Sequence, residues 1–288
     1  MSLCVSHLVK GVALCSMLIW TLSVHAESVV VTVSSLDQPP KLDGQLGDWL
    51  IEPQIIRLHK AHPGVSVALS ELTMWAGHFD DSIYFAFRWA DAHPDRQHKP
   101  YIWSDEKERY TVGPQREDRL AIQFQIEGEY DVNWLSGNSF KADMWHWKSS
   151  RSAPIGLAHD KMTIVGREKV IRSFKAEGVD GEPVYIRRIS DSGDKLYSHK
   201  RYVLKESKQM PKYLLNANAS GSIADVKAAQ RWRDGAWTVE LTRKLNTHHD
   251  DDVLFQFADD IPGGIAVFNR SGDSNHVISN NLLFRLER

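Results

Sequence analysis

The chain has 288 residues, 42% hydrophobic and 25% charged, enough for one large β domain or two smaller ones. A formal net charge of −2 and a pI near 6.7 exclude a concentrated basic surface, so nucleic acid is not an expected partner. Ten tryptophans are generous for this length and point either to carbohydrate stacking or to a large flat apolar ligand.

Residues 1–26 carry one charge, Lys10, then the apolar run Gly11 to Val24 and the small-residue exit Val24-His25-Ala26. This is the pattern of a secretory signal peptide cut between Ala26 and Glu27, and it predicts a periplasmic mature protein with no membrane span. Both cysteines, Cys4 and Cys15, fall inside that segment. A mature chain without thiols excludes disulfides, thiolate zinc, iron–sulfur clusters and covalently attached haem. Any cofactor is then held by His, Met, Lys, carboxylates or packing.

Ser28 to Ser34 alternates valine with small polar residues and reads as the first strand. After Gln38-Pro39-Pro40, Gly44 and Gly47 permit a tight turn that tucks Trp49 under a sheet. Leu69 to Phe79 and Ile83 to Trp89, separated by Asp80-Asp81-Ser82, predict a hairpin. Ala90 to Glu117 lacks periodicity and reads as a long surface connection; Leu120 to Ile126 is a strand, and Glu127 to Phe140 a polar loop able to wall a pocket.

Lys141 to Arg151 carries two tryptophans around a histidine. In an extended strand, Met144, His146 and Lys148 share one face, and Asp143, Trp145 and Trp147 the other. Met162 to Ser220 is rich in Lys and Arg, is broken by Gly and Pro, and reads as an irregular excursion; Ser222 to Gln230 is a short helix candidate. Gly235 to Arg243, Asp252 to Ala258, Gly264 to Phe268 and Val277 to Leu286 read as the closing strands. Many alternating strands, few helical patterns and long loops predict an all-β, two-sheet sandwich spanning 27–288 as a single domain.

Leu42-Asp43-Gly44 with Asp48-Trp49, Glu117 to Ile122, Asp143 to Lys148, Trp237 to Arg243, and Ile265 to Phe268 leading to His276-Val277-Ile278-Ser279 follow one another in a familiar order. In that order and spacing, about residues 37 to 288 resemble the haem-binding domain of the ethylbenzene dehydrogenase family, the haem b subunit of molybdenum enzymes of the dimethyl sulfoxide reductase type. The resemblance implies a sandwich related to family 9 carbohydrate-binding modules, non-covalent haem b between loops, and electron transfer without catalysis. It also implies a redox partner, either molybdopterin oxidoreductase subunits or a c-type cytochrome.

The family's iron is held by a Met and a Lys. Matched onto this chain, the lysine position falls on His276, and histidine is the commoner haem ligand. The methionine position falls near Leu135-Ser136, where neither residue ligates iron. His146 is then the expected opposite ligand, with Met144 the alternative and a five-coordinate iron the third option. Trp145, Trp147, Lys148 and Arg151 are expected around the haem, the two cations facing its propionates.

Other constellations carry less. Thr247-His248-His249-Asp250-Asp251-Asp252 has metal-ligand types but reads as a solvated polar turn. His59, His62, His78, His93, His98, His159 and His199 show no ligand spacing and read as surface residues. Asp43, Glu117 and Asp118 have no spacing that fixes a glycosidase pair, and Asp118 reads as orienting Arg119 or capping a turn. Two further readings stand beside the haem protein: a sugar-binding sandwich module, and a structural subunit that has lost its haem.

Overall fold

The computed structural model describes residues 28–202 and 204–288. The proposed signal peptide, with both cysteines, lies outside the described residues.

The described chain opens with β1 (Val29–Ser35), β2 (Gln54–Lys60), β3 (Glu71–Phe79) and β4 (Ser82–Ala90). It continues through β5 (Tyr101–Ser104), β6 (Arg109–Val112), β7 (Arg119–Gly128), β8 (Phe140–Lys148) and β9 (His159–Gly166). Next come β10 (Phe174–Glu177), β11 (Pro183–Ser190), β12 (Tyr197–His199), β13 (Gln209–Met210) and β14 (Tyr213–Leu215). It closes with β15 (Lys227–Arg233), β16 (Ala236–Lys244), β17 (Ile261–Phe268), β18 (Val277–Ser279) and β19 (Leu282–Leu286).

These strands build a β-sandwich. One layer runs β10-β11-β9-β8-β7-β17 and is extended by β18 and β19; the other runs β2-β3-β4-β16-β15. The two layers are stitched along one side, because β2 pairs with both β18 and β3, while β1 lies parallel to β19 and to β3. The apolar residues of the period-two strands face inward between the layers, as alternation requires. Phe85 of β4 packs edge-on against Trp145 of β8 at 5.7 Å, and Trp147 against Trp237 of β16 at 5.0 Å.

The hairpin expected around Asp80-Asp81 is present, with Phe79 paired to Ser82 and Asp80 in the left-handed region at φ 48°. Gly44 also turns left-handed, and its amide and Trp49 Nε1 both donate to Glu240, which fixes the tryptophan beneath the sheet.

Four expectations need correction. The excursion expected over 162–220 is regular in its first half: β10 and β11 extend the first layer, where an edge strand tolerates the Lys and Arg that hide its alternation and Pro183 begins β11. The connection 90–117 contains the pair β5–β6, joined by β13 into a small sheet. The helix expected over Ser222 to Gln230 is a single 3₁₀ turn, Ser222–Ala224, followed at once by β15. Residues 252–258 form no strand, because Arg243 and Asp143 hold Val253 by its backbone instead. Among the described residues no helix is long and apolar enough to cross a membrane.

Candidate functional site

The outer face of the first layer is the unusual one. Trp145 and Trp147 turn toward the core, so Met144 and His146 turn away from it, onto a face that in most sandwiches meets water. Here that face is roofed by loops and encloses a cavity of about 440 Å³, within the range of small-molecule and cofactor sites.

Its floor is a patchwork of neighbouring strands. His146 pairs with Ala121 of β7, which pairs with Ala266 of β17, which pairs with Ile278 of β18; one row over, Met144 pairs with Gln123 and Gln123 with Gly264. Ala121, Ala266 and Gly264 are small, and this leaves room above the sheet.

The wall at 130–135 belongs to the loop between β7 and β8. Gln123 fastens it: its side-chain oxygen accepts from Trp134 Nε1 at 3.0 Å and from the Tyr130 hydroxyl at 3.4 Å, and its amide donates to Thr163 at 3.0 Å. Asp131 and Asn133 brace the loop through bonds to backbone amides two residues on. The opposite wall, 270–276, is held by Arg119, which donates to Asp273 at 2.5 Å and to the Ser271 carbonyl at 2.9 Å. Arg188 of β11 reaches the other oxygen of Asp273 at 3.1 Å. His62, which also lines the cavity, contacts the Ser274 carbonyl at 2.5 Å.

Two imidazoles face this space with nitrogens that lack partners. His146 Nε2 and His276 Nδ1 are both buried and make no hydrogen bond. Burial, with Lys148 and Arg119 as further causes, drives His146 well below the ordinary histidine value. Burial and the Arg119 guanidinium bring His276 down to about 4. At neutral pH both rings are therefore neutral, the form that offers a lone pair to a metal. Phe268 packs near-parallel to both, at 4.6 Å from His276 and 5.9 Å from His146, and the Arg119 guanidinium lies 4.0 Å from its centre.

The cavity thus brings together His276, His146 and Met144, with Leu135 in the facing wall. The other four expected pocket residues do not line it. Trp145 and Trp147 are fully buried in the core between the layers, because strand alternation sets them on the face opposite His146. Lys148 shares the His146 face but lies beyond the cavity, donating to His159 Nδ1 at 2.6 Å. Arg151 is past the end of β8, where its Nε donates to Glu117 at 2.5 Å. Glu117 and Asp118 are buried braces: Asp118 accepts from the amides of Asp95 and Arg270 and from Trp237 Nε1, as a turn cap does.

His78, His98 and His159, expected at the surface, are buried as well. Sequence reasoning missed Arg188, Phe268, Gln123 and His62 as cavity residues. Only alternation in β11 and β17 pointed to the first two, and in β11 the basic composition of 162–220 masked it.

Comparison with known proteins gives a likeness at the level of fold and one at the level of family. A candidate carbohydrate-binding protein from Bacteroides uniformis ATCC 8492 aligns over 90% of this chain and 100% of its own, with 9% identity and a TM-score of 0.42. A family 9 carbohydrate-binding module from Caldicellulosiruptor kristjanssonii, solved with glucose, aligns over 90% and 97%, with 11% identity and a TM-score of 0.38. No curated protein matches the sequence. The ethylbenzene dehydrogenase family matches residues 66–278, most of the described sandwich and every residue of the cavity floor up to Ile278, and the chain belongs to that family.

Proposed function

We propose that the cavity binds b-type haem and that the protein is a periplasmic electron-transfer subunit or domain. The observation that carries this reading is the pair of buried, neutral imidazoles, His276 and His146, whose unpartnered nitrogens border one apolar cavity. An unpaired buried nitrogen costs roughly 1–3 kcal/mol, so two of them in one cavity call for a ligand that uses them. Haem supplies one-electron chemistry at its iron when bound.

His276 is the axial ligand on this reading and His146 the opposite one, with Met144 the alternative from the same face. Phe268, which packs on both rings, would be a neighbour of the bound group. Arg188, which lines the cavity beside its partner Asp273, is the cation suited to a propionate, in place of Arg151 and Lys148, which lie outside the cavity. The sandwich contributes a dry floor and neutral ligands, and a partner protein, whether molybdopterin oxidoreductase subunits or a c-type cytochrome, exchanges the electron.

A sugar-binding module has weaker support. Among the described residues Trp49, Trp89, Trp145, Trp147 and Trp237 are buried, and the four others, Trp75, Trp103, Trp134 and Trp232, are only partly exposed and spread over different elements, so they form no open stacking platform. The test is reconstitution of the purified chain with haem, followed by oxidised and reduced spectra of the wild type and of His276→Ala, His146→Ala and Met144→Ala. A Soret band lost or weakened in His276→Ala, with a low-spin to high-spin change in His146→Ala, is the expected result. A wild type that takes up no haem sinks the proposal; a spin change confined to Met144→Ala makes methionine the second ligand.

A further inference from the structure

Two small sheets stand apart from the sandwich. One joins β13, β5 and β6, the other β12 and β14, and among the described residues neither pairs with a strand of the two layers. Their charge is unlike that of the rest of the chain. Residues 195–215 hold six lysines and arginines against one acid, Glu206, in a chain whose net charge is −2. Lys200 pairs with Glu206 and Lys205 with Asp105 at 3.0 Å. Lys195, Arg201, Lys208 and Lys212 form no ion pair among the described residues, and the first three are exposed.

Aromatic rings hold these cations without cancelling them. Lys212 stands 5.9 Å from the ring centres of both Tyr101 and Tyr213, and Arg151 reaches the other side of this group, 5.4 Å from Tyr213 and 5.3 Å from Tyr197. Lys205 lies over Trp103 at 5.2 Å, and Tyr101 and Tyr110 each pack edge-on against Tyr202 at 4.8 Å. A ring face fixes the position of a cation but leaves its full charge in place, which a carboxylate does not. The carboxylate beneath the group, Glu117, is buried and already taken by Arg151 Nε and by the amides of Ser150 and Arg151.

Lys99 joins the small sheets to the haem cavity. Its backbone is left-handed, at φ 50°, and is held there by its amide, which donates to the Gln115 carbonyl at 2.9 Å. That conformation is costly for a lysine and is kept where the side chain has to be placed. Burial and then Arg116 lower Lys99 below the ordinary lysine value, with Lys212 and Arg151 acting the same way, while Asp273 raises it. Lys99 therefore lies between the cations of the small sheets and the 270–276 wall that carries Asp273 and His276.

We propose that the two small sheets are the docking surface for an acidic face of the protein that exchanges electrons with the cavity, with Lys99, Arg201, Lys208 and Lys212 as its contact cations. This rests on the electron-transfer reading and adds the chemistry of the partner. Charge complementarity selects that partner: the chain as a whole is negative, so an acidic protein is repelled elsewhere and drawn to this one lobe, which fixes its orientation as well as its rate of encounter. Leu204 and Leu214, 77% and 51% exposed, add apolar contact area among the cations, and fixed tyrosines beside Arg and Lys are the composition that protein interfaces favour. A partner seated here is next to the 270–276 wall, where an electron has the shortest way to the cavity.

The first arm of the test needs no haem: the mature chain is titrated with poly-L-glutamate by calorimetry at low and at physiological salt. Lys208→Glu/Lys212→Glu should weaken binding by about tenfold or more, and Lys60→Glu/Lys175→Glu, an equal charge change on β2 and β10, should not. If the first variant melts below the wild type, Arg201→Glu/Lys208→Glu, both at exposed positions away from the tyrosine contacts, takes its place. In the second arm the reduced, haem-loaded chain is mixed with an oxidised acidic and an oxidised basic c-type cytochrome. The rate with the acidic protein should fall as salt rises, fall about tenfold in Lys208→Glu/Lys212→Glu, and exceed the rate with the basic one. Equal poly-L-glutamate affinity in the wild type and the small-sheet variants, or an equal loss in Lys60→Glu/Lys175→Glu, overturns the surface. A chain that takes up no haem but still binds poly-L-glutamate through these residues sinks the electron-transfer reading and leaves the acidic-partner surface standing. Cosedimentation with phosphatidylglycerol vesicles that is lost in the variant, together with rates indifferent to salt, makes the ligand a membrane and overturns the proposal.

Discussion

Arg243 Nη1 lies 2.6 Å from Asp143 Oδ2, and neither side chain is more than 1% exposed. Asp143 Oδ2 also accepts from the Val253 amide at 3.1 Å and from Trp145 Nε1 at 3.3 Å, so a single oxygen holds β16, the 245–260 loop and the indole together. Removing one partner of a buried pair leaves the other charge uncompensated, which costs about 3–5 kcal/mol. Arg243→Met is expected to lose stability on that scale in denaturant unfolding, and a loss under about 1 kcal/mol would show that Asp143 is neutral without it.

Two further buried acids, Asp191 and Asp252, fix a pH dependence. Burial, reinforced by Asp143, raises Asp191 from 3.8 to about 9, and burial raises Asp252 to about 6. A raised carboxyl value means that the folded chain keeps a proton the unfolded chain has released. The stability from these groups is full below about pH 4 and is lost as pH climbs through 6 toward 9. The melting temperature of Asp191→Asn minus that of the wild type is therefore expected to grow with pH over this window. A difference that stays flat or shrinks would contradict the assignment.

Gly264 controls the space above the cavity floor. A Cβ at this position would come within 2.6 Å of Val132 and 2.8 Å of the Tyr130 hydroxyl. Gly264→Ala should push the 130–135 wall outward at a cost of about 1–3 kcal/mol. On the haem reading it should also weaken haem retention more than the stability loss alone predicts. Unchanged haem affinity in Gly264→Ala would show that this wall does not contact the cofactor.

Trp147 separates core from cavity. Its ring packs against Trp89 and Trp237 at 6.1 and 5.0 Å, on the core side of β8. Trp147→Ala should cost roughly 3–5 kcal/mol in unfolding, whereas the milder Trp147→Phe should fold and bind haem as the wild type does. A shifted Soret maximum in folded Trp147→Phe would return this residue to the cavity.

How much of this was legible beforehand depended on periodicity. β8 could be read because its alternation is clean, and the same pattern that joined Met144 to His146 also separated both from Trp145 and Trp147. The tryptophans were nonetheless expected beside the haem, because aromatic bulk suggests a flat ligand as readily as a core, and sequence does not tell which face of a two-faced strand carries the cavity. β11 was hidden by its charges: Arg188 looks like a surface residue until the register sets it at the cavity rim beside Asp273.

His276 could be reached only through its matched position in a resembled family, since one histidine in a polar loop has no pattern of its own. Asp252 was read with its neighbours as a solvated turn. His248 to Asp251 suit that description, but the turn ends by directing Asp252 inward toward Arg243, a contact between residues of different strands and loops that local composition does not encode.

The cavity is walled by two loops and floored by the outer face of one sheet, while the hydrophobic core lies on the other face of the same strands. On the haem reading, folding and cofactor loading are therefore separable events. The sandwich can close around its tryptophans and phenylalanines without the space between the loops at 130–135 and 270–276 being filled.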